Sequence, residues 1–295
     1  MEFDNILNVD KLIFFTGLAL FVFWVCKTSL GRKALLNSAP RRNNMPLYLP
    51  FIPFSICFGI IFLVSSIAKT LLSDLQKWQS DFLDNIIICI FELITIALMI
   101  FLARIHFTRR LKGFGLNIKT IVKDFFLAFV NLLTVWPLII TAIGLTFYIG
   151  EMIWGREYQI EQHQQLKMIT EHSQVLSRIL IAFTAVVVVP LFEELLFRGL
   201  FQTTIRSYIE SFRSLLSPQN KSEVEQTIDR HGAWPAIVIS SVLFTMAHAN
   251  LGHRPALFVL GVCLGYSYEK SGSLFRPIFI HAIFNAISVI ATLNQ

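Results

Sequence analysis

Charge is what this sequence has least of. Only 15% of its 295 residues are Asp, Glu, Lys or Arg, against roughly 25% in an ordinary soluble domain. Apolar residues make up 55% of the chain and its mean hydropathy is +0.63. So little charge cannot cover the surface of a protein this size in water. A wholly soluble protein is excluded, and lipid must cover part of the chain. Cysteine is sparse as well. Cys26, Cys57, Cys89 and Cys263 stand singly inside apolar runs with no CxxC pair. They exclude a disulfide framework and read as small buried hydrophobes. There is no internal repeat, no low-complexity tract and no soluble domain. No HExxH run sets two histidines and a glutamate around zinc on one helix. A cleavable leader is not expected either. Residues 12–26 follow an acidic stretch and are flanked by Trp24 and Lys27 without a small-residue cleavage site, so they read as a retained anchor.

What is present is a series of apolar runs. A helix needs roughly 20 apolar residues to cross the hydrocarbon core. Residues 12–26, 47–68, 86–103, 125–149, 179–201, 234–248, 255–268 and 274–293 approach or meet that length. They predict an all-α polytopic membrane protein, about eight transmembrane helices forming a bundle with an intramembrane polar cavity. Basic residues alternate with the runs. The odd-numbered connections hold 17 Lys and Arg, while the first tail and the even-numbered connections hold 7. The positive-inside rule then makes the odd loops cytoplasmic and puts both termini outside, in the cell membrane if the source is prokaryotic. Residues 107–124 mix Phe107, Leu111, Phe114 and Ile118 with basic residues, the pattern of an interfacial helix. Residues 157–178 are polar, and their His163 and His172 read as solvated.

Ionisable groups inside apolar helices cost about 3 kcal/mol each on insertion scales and mark sites by default. Three such interruptions fall in the last four runs. In Pro190-Leu-Phe-Glu193-Glu194-Leu-Leu-Phe-Arg198-Gly199, Glu194 and Arg198 are four apart with the acid first, the favourable order for a helical ion pair. Glu193 is turned about 100° away, which leaves one carboxylate facing elsewhere. The second interruption is Phe244-Thr-Met-Ala-His248, and the third is His281-Ala-Ile-Phe-Asn285, whose polar pair shares one helix face. The bland alternatives are an ion pair at the membrane edge, an interfacial histidine and hydrogen bonds between packed helices. Together, however, a carboxylate, two imidazoles and a carboxamide on three helices make up an inventory for amide hydrolysis. A general base contributes about 10² to 10⁴ in rate, and each neutral donor to an oxyanion roughly 10² to 10³.

These three motifs, in this order, resemble those of the CPBP family. That family comprises the CAAX proteases and bacteriocin-processing enzymes and includes the Ras-converting endopeptidases. The resemblance covers residues 179–293 and divides the chain into membrane helices and interfacial segments over 1–178 and a CPBP-type catalytic core over 179–295. It implies that Glu193 and His248 activate the attacking water and that His281 and Asn285 form the oxyanion site. It further implies that Glu194 and Arg198 hold the first helix in place, with Phe244 packed near the site. The family is often labelled a metalloprotease. Glu193, His248 and His281 could complete a three-ligand zinc site with an open position, or Glu193 could act with no metal. The residues permit both. Glu92, Asp124 and Asn131 are further polar interruptions, and Gly199 and Gly252 read as positions of close packing or helix ends.

The expected activity is therefore intramembrane peptide hydrolysis. The expected partners are the lipid bilayer and a membrane-associated protein or peptide substrate, with no nucleic acid. Two other classes use the same residues. A non-catalytic scaffold or immunity protein would keep the fold without the chemistry. A proton-coupled transporter would spread polar groups across both halves of the chain, whereas here they gather in the second.

Overall fold

A computed structural model describes residues 2–36, 38, 40–71, 76–155, 158–160, 164–171, 174–216 and 233–294. His163 and His172 lie outside these residues. The described residues form an all-α fold with no sheet, apart from one bridge between Asn43 and Phe107. The first helices are α1 (Glu2–Lys27), α2 (Phe51–Leu71), α3 (Lys77–His106), the one-turn α4 (Arg110–Phe114), α5 (Ile121–Trp154) and α6 (Gln164–Glu171). A continuous helical rod, α7, then runs over 175–216, followed by α8 (Ala233–Met246), α9 (Arg254–Ser271) and α10 (Phe275–Leu293).

The expected eight runs all fall on helices, but among the described residues only four helices are long and apolar enough to cross a membrane. These are Lys77–His106, Ile118–Trp154, Val175–Phe212 and Phe275–Leu293. The other four fall short for separate reasons. The apolar part of α1 is confined to residues 12–26, and its preceding turns carry Asp4, Asp10 and Lys11. Within α2 the apolar stretch is Phe51–Val64. The 14 residues of α8 reach about 21 Å at 1.5 Å per residue, less than the roughly 30 Å of hydrocarbon. Arg254, Glu269 and Lys270 interrupt the 18 residues of α9. That helix has little need to face lipid, since it packs against α5, α8 and α10 and buries Leu260, Gly261, Leu264, Gly265, Tyr268 and Glu269.

Lipid must cover the outside. Phe62, Val122, Met152 and Val175 are 70–79% exposed, more apolar surface than a water-facing protein presents. Inside, the largest core cluster joins Cys89, Ile96 and Met99 of α3 to Val188, Phe192, Leu195 and Leu196 of α7 and to Phe244 of α8. The expected interfacial helix over 107–124 is instead α4 and a short turn. Phe107 and Phe114 are 2% and 0% exposed, with their rings edge to face. Phe114 fills the space over Gly199, where any Cβ would collide with its ring. The segment is thus a wedge into the core.

Candidate active site

The rod α7 is not a uniform α-helix. Ordinary turns over Val175–Phe183 and Val189–Glu193 are separated by an i→i+5 wound stretch at Thr184–Val188, and a second such stretch covers Glu194–Gln202. Wider π-type winding disturbs the backbone hydrogen-bond ladder and occurs frequently at functional sites. Neighbouring helices supply hydrogen bonds to these segments. Asn285 Nδ2 of α10 donates to Ala185 O at 2.8 Å, and Ser240 Oγ of α8 donates to Phe197 O at 2.8 Å. Glu193 and Glu194 stand at the junction where the second stretch begins.

That junction aims the two carboxylates differently. Glu194 and Arg198 are completely buried, and Arg198 Nη1 donates to Glu194 Oε1 at 2.9 Å. The guanidinium also donates from Nη2 to Gly261 O at 3.2 Å and lies 4.4 Å from the centre of the Phe244 ring. Gly261 lets α9 pack closely on α8 beside this bond, because a Cβ there would press on Ser241 at 3.1 Å and on Phe244 at 3.4 Å. Glu194 Oε1 has a second partner, His281 Nδ1, at 3.0 Å. One oxygen therefore ties α7 to α10 while also neutralising the buried cation. The i,i+4 ion pair read from the sequence is present. Its bonds to His281 and to the carbonyl of Gly261 had no signal in residue spacing.

Glu193 faces the two imidazoles. Its Oε1 is 3.9 Å from His248 Nε2 and its Oε2 is 3.7 Å from His281 Nε2, both beyond direct hydrogen-bond length. Glu193 Oε2 is buried with no hydrogen-bond partner among the described residues. The side chains of Glu193 and His248 keep 16% and 18% of their surface, against 4% for His281. Of the three, Glu193 and His248 are therefore the ones a small molecule can reach.

His248 lies just past the end of α8, where residues 247–250 leave the helical path. Its Nδ1 is 2.8 Å from Phe244 O. A carbonyl only accepts, so Nδ1 donates and the neutral ring presents the Nε2 lone pair toward Glu193. The turn is held by Arg254, whose Nε and Nη2 donate to His248 O at 3.2 and 3.1 Å, and by Asn250 Oδ1, which accepts from Gly252 N at 3.0 Å. Phe244 is fully buried and packs edge to face on His248, His281 and Phe197, with centroids 4.8, 5.8 and 5.4 Å apart. It is the common floor of the cluster.

Six of the seven residues singled out in the three motifs thus meet at one place: Glu193, Glu194, Arg198, Phe244, His248 and His281. Asn285 is one turn from His281, and one of its amide hydrogens is committed to Ala185 O. Asp124 and Asn131 serve packing. Arg276 Nη2 is 2.8 Å from Asp124 Oδ1, and Asn131 Nδ2 donates to Ser267 Oγ at 3.0 Å. Glu92 is different. It is 7% exposed, its Oε2 lacks a hydrogen-bond partner among the described residues, and it lies within electrostatic reach of Glu193.

Glu193, His248 and His281 are donors of the kind that suit zinc, and each imidazole has its Nδ1 held from behind, by a carbonyl or by a carboxylate. Tetrahedral bonds of about 2.1 Å put neighbouring ligand atoms roughly 3.4 Å apart. The separations here are 3.9 and 3.7 Å and use opposite oxygens of one carboxylate. Among the described residues no three ligands converge at metal-binding spacing. The donor set is therefore not closed on one ion.

Residues 175–287 match the family model of type II CAAX prenyl endopeptidase Rce1-like proteins, a stretch that holds every residue of the cluster. No curated protein and no solved structure matches the chain. Over this stretch the chain is similar to the Rce1-like, or CPBP, family.

Proposed function

We propose that this protein is an intramembrane endopeptidase that hydrolyses a peptide bond of a membrane-associated protein or peptide. The observation that supports this most is the Glu193 carboxylate, partly accessible, facing two imidazoles with an oxygen that no donor among the described residues takes. Beneath it, Glu194 and Arg198 are buried and mutually neutralised.

The 3.9 Å gap between Glu193 Oε1 and His248 Nε2 suits a water. A molecule about 2.8 Å from both atoms sees them roughly 90° apart, near the angle between its own two hydrogens. Glu193 takes one proton as the water oxygen bonds to the scissile carbonyl carbon, and the carbonyl π electrons move onto its oxygen. The remaining amide hydrogen of Asn285 donates to that oxyanion, and so does His281 Nε2 when both ring nitrogens carry hydrogen, since Nδ1 already donates to Glu194. Collapse of the intermediate breaks the C–N bond, and the proton held by Glu193 passes to the leaving amine. Glu194 and Arg198 are positioning residues. Glu194 orients His281 through Nδ1, and Arg198 holds Glu194 in place.

In this reading all eight apolar helices belong to one membrane bundle, with the odd-numbered loops cytoplasmic and residues 179–295 as its catalytic core. The test is proteolysis of a membrane-anchored substrate by Glu193→Gln and His248→Ala variants whose helical content matches the parent. Each loses about 10² to 10⁴ in rate. Undiminished cleavage by either variant removes the mechanism, and cleavage-independent function of Glu193→Gln in the cell supports the scaffold alternative.

A further inference from the structure

A second polar cavity lies away from the carboxylate and imidazoles, at the far end of α7 and α9. It has a volume of about 670 Å³ and is lined by the first, third and seventh connections, which meet at one end of the molecule. Five cationic side chains face it, Arg41, Arg42, Arg109, Lys112 and Lys270, against one acid, Glu269.

That acid is already neutralised. Arg206 of α7, 2% exposed, forms an ion pair with Glu269 Oε2, and Arg41 Nη1 is 3.7 Å from the same oxygen. Gln202 Nε2 donates to Glu269 Oε1 at 3.0 Å. Behind the cavity the cations are fixed. Arg41 stacks 3.4 Å above the Tyr268 ring and donates to Tyr268 O, and Lys270 Nζ donates to Ala34 O at 2.7 Å. At its mouth Arg42, Arg109 and Lys112 are exposed and form no ion pair among the described residues. Backbone bonds hold the connections in register. Thr108 N donates to Arg42 O at 3.2 Å, Asn44 N to His106 O at 3.1 Å, and Leu274 N to Gly115 O at 3.0 Å.

A rigid concavity with four cations in excess of its acids calls for an anion, and guanidinium forks match phosphate oxygens two at a time. The surroundings point to the bilayer as its source. Leu30 and Ile118, on the first and third connections that line the cavity, are each 79% exposed. Bare aliphatic side chains beside a cluster of cations are what a protein presents at headgroup depth.

We propose that this cavity is a binding site for the phosphate of an anionic phospholipid headgroup. The full chain is reconstituted in nanodiscs of phosphatidylcholine alone or with about one fifth phosphatidic acid, and lipid retention is read by native mass spectrometry. The parent protein retains phosphatidic acid over phosphatidylcholine. The triple variant Arg42→Ala, Arg109→Ala, Lys112→Ala loses about fivefold in this preference per residue removed. A control triple, Arg32→Ala, Lys33→Ala, Lys119→Ala, removes equal charge from exposed positions outside the cavity and keeps the preference. Equal loss in both triples would reduce the effect to general surface charge and overturn the site. Retention of inorganic phosphate in pure phosphatidylcholine discs, at the expense of phosphatidic acid in mixed ones, would overturn the lipid source. None of these readouts depends on peptide hydrolysis.

Discussion

Glu194 Oε1 joins two helices, since Arg198 and His281 both bind it inside the membrane-spanning part of the chain. Removing one member of a buried ion pair leaves the other charged and unpaired, at a cost of about 3–5 kcal/mol. Arg198→Met should lower unfolding stability in detergent by that amount. The double variant Glu194→Gln, Arg198→Met should recover most of it, because two neutral groups replace two charges. Proteolysis should not recover with it, since His281 then lacks its anionic partner. Glu92 calls for the opposite change. Its carboxyl group is buried with an oxygen that no described group satisfies, and a buried polar atom without a partner costs stability. Glu92→Met should therefore raise the melting midpoint in a thermal unfolding experiment. At the level of single residues the site was readable because polar groups in apolar helices are conspicuous. Glu193, His248 and His281 stand out in any hydropathy profile. Their mutual distances do not, and neither does the choice between Glu92, which borders the cluster, and Asn131, which merely bonds to Ser267.

Helical spacing predicted that α7 exists and that Glu194 meets Arg198. It did not predict the wider winding, because nothing in the run Glu194–Gln202 distinguishes i→i+5 from i→i+4 bonding. The winding depends on partners distant in sequence, Ser240 and Asn285, whose side chains bond to the segments' carbonyls. The wedge of α4 was missed for a similar reason. Its alternating basic and aromatic residues look interfacial, yet Phe114 finds a slot that exists only because residue 199 is glycine. Filling that slot has a measurable cost. Gly199→Ala should destabilise the protein by about 1–3 kcal/mol, the usual cost of overpacking a filled core, and Phe114→Leu in the same chain should return part of it. Chemical unfolding of the two variants checks both.

Across the entire chain, the charge alternation and the helices are consistent in one respect: the first, third and seventh connections converge on a single cavity. Cysteines introduced for Lys33 and Lys112 in a background without the four native ones should therefore react with an impermeant maleimide from the same side, and one introduced for Lys167 only from the other. Labelling of Lys33 and Lys112 positions from opposite faces would break the proposed orientation. The number of crossings was the least legible feature. Hydropathy cannot tell a helix wrapped by lipid from one wrapped by protein, and α9, enclosed by α5, α8 and α10, tolerates Glu269 for that reason.

The brevity of α8 has a bearing on the bilayer itself. Val238, Ile239, Val242 and Met246 leave one side of it open to acyl chains, yet it rises only about 21 Å, while α3 and α5 are 30 and 34 residues long. In the proposed eight-helix bundle, lipid tails beside α8 shorten or tilt to meet it, and the leaflet dips on the flank nearest His248. Such mismatch costs a fraction of a kcal/mol per Å. The protein should therefore be more stable, and cut its substrate faster, in vesicles of 14-carbon lipids than in vesicles of 20-carbon ones.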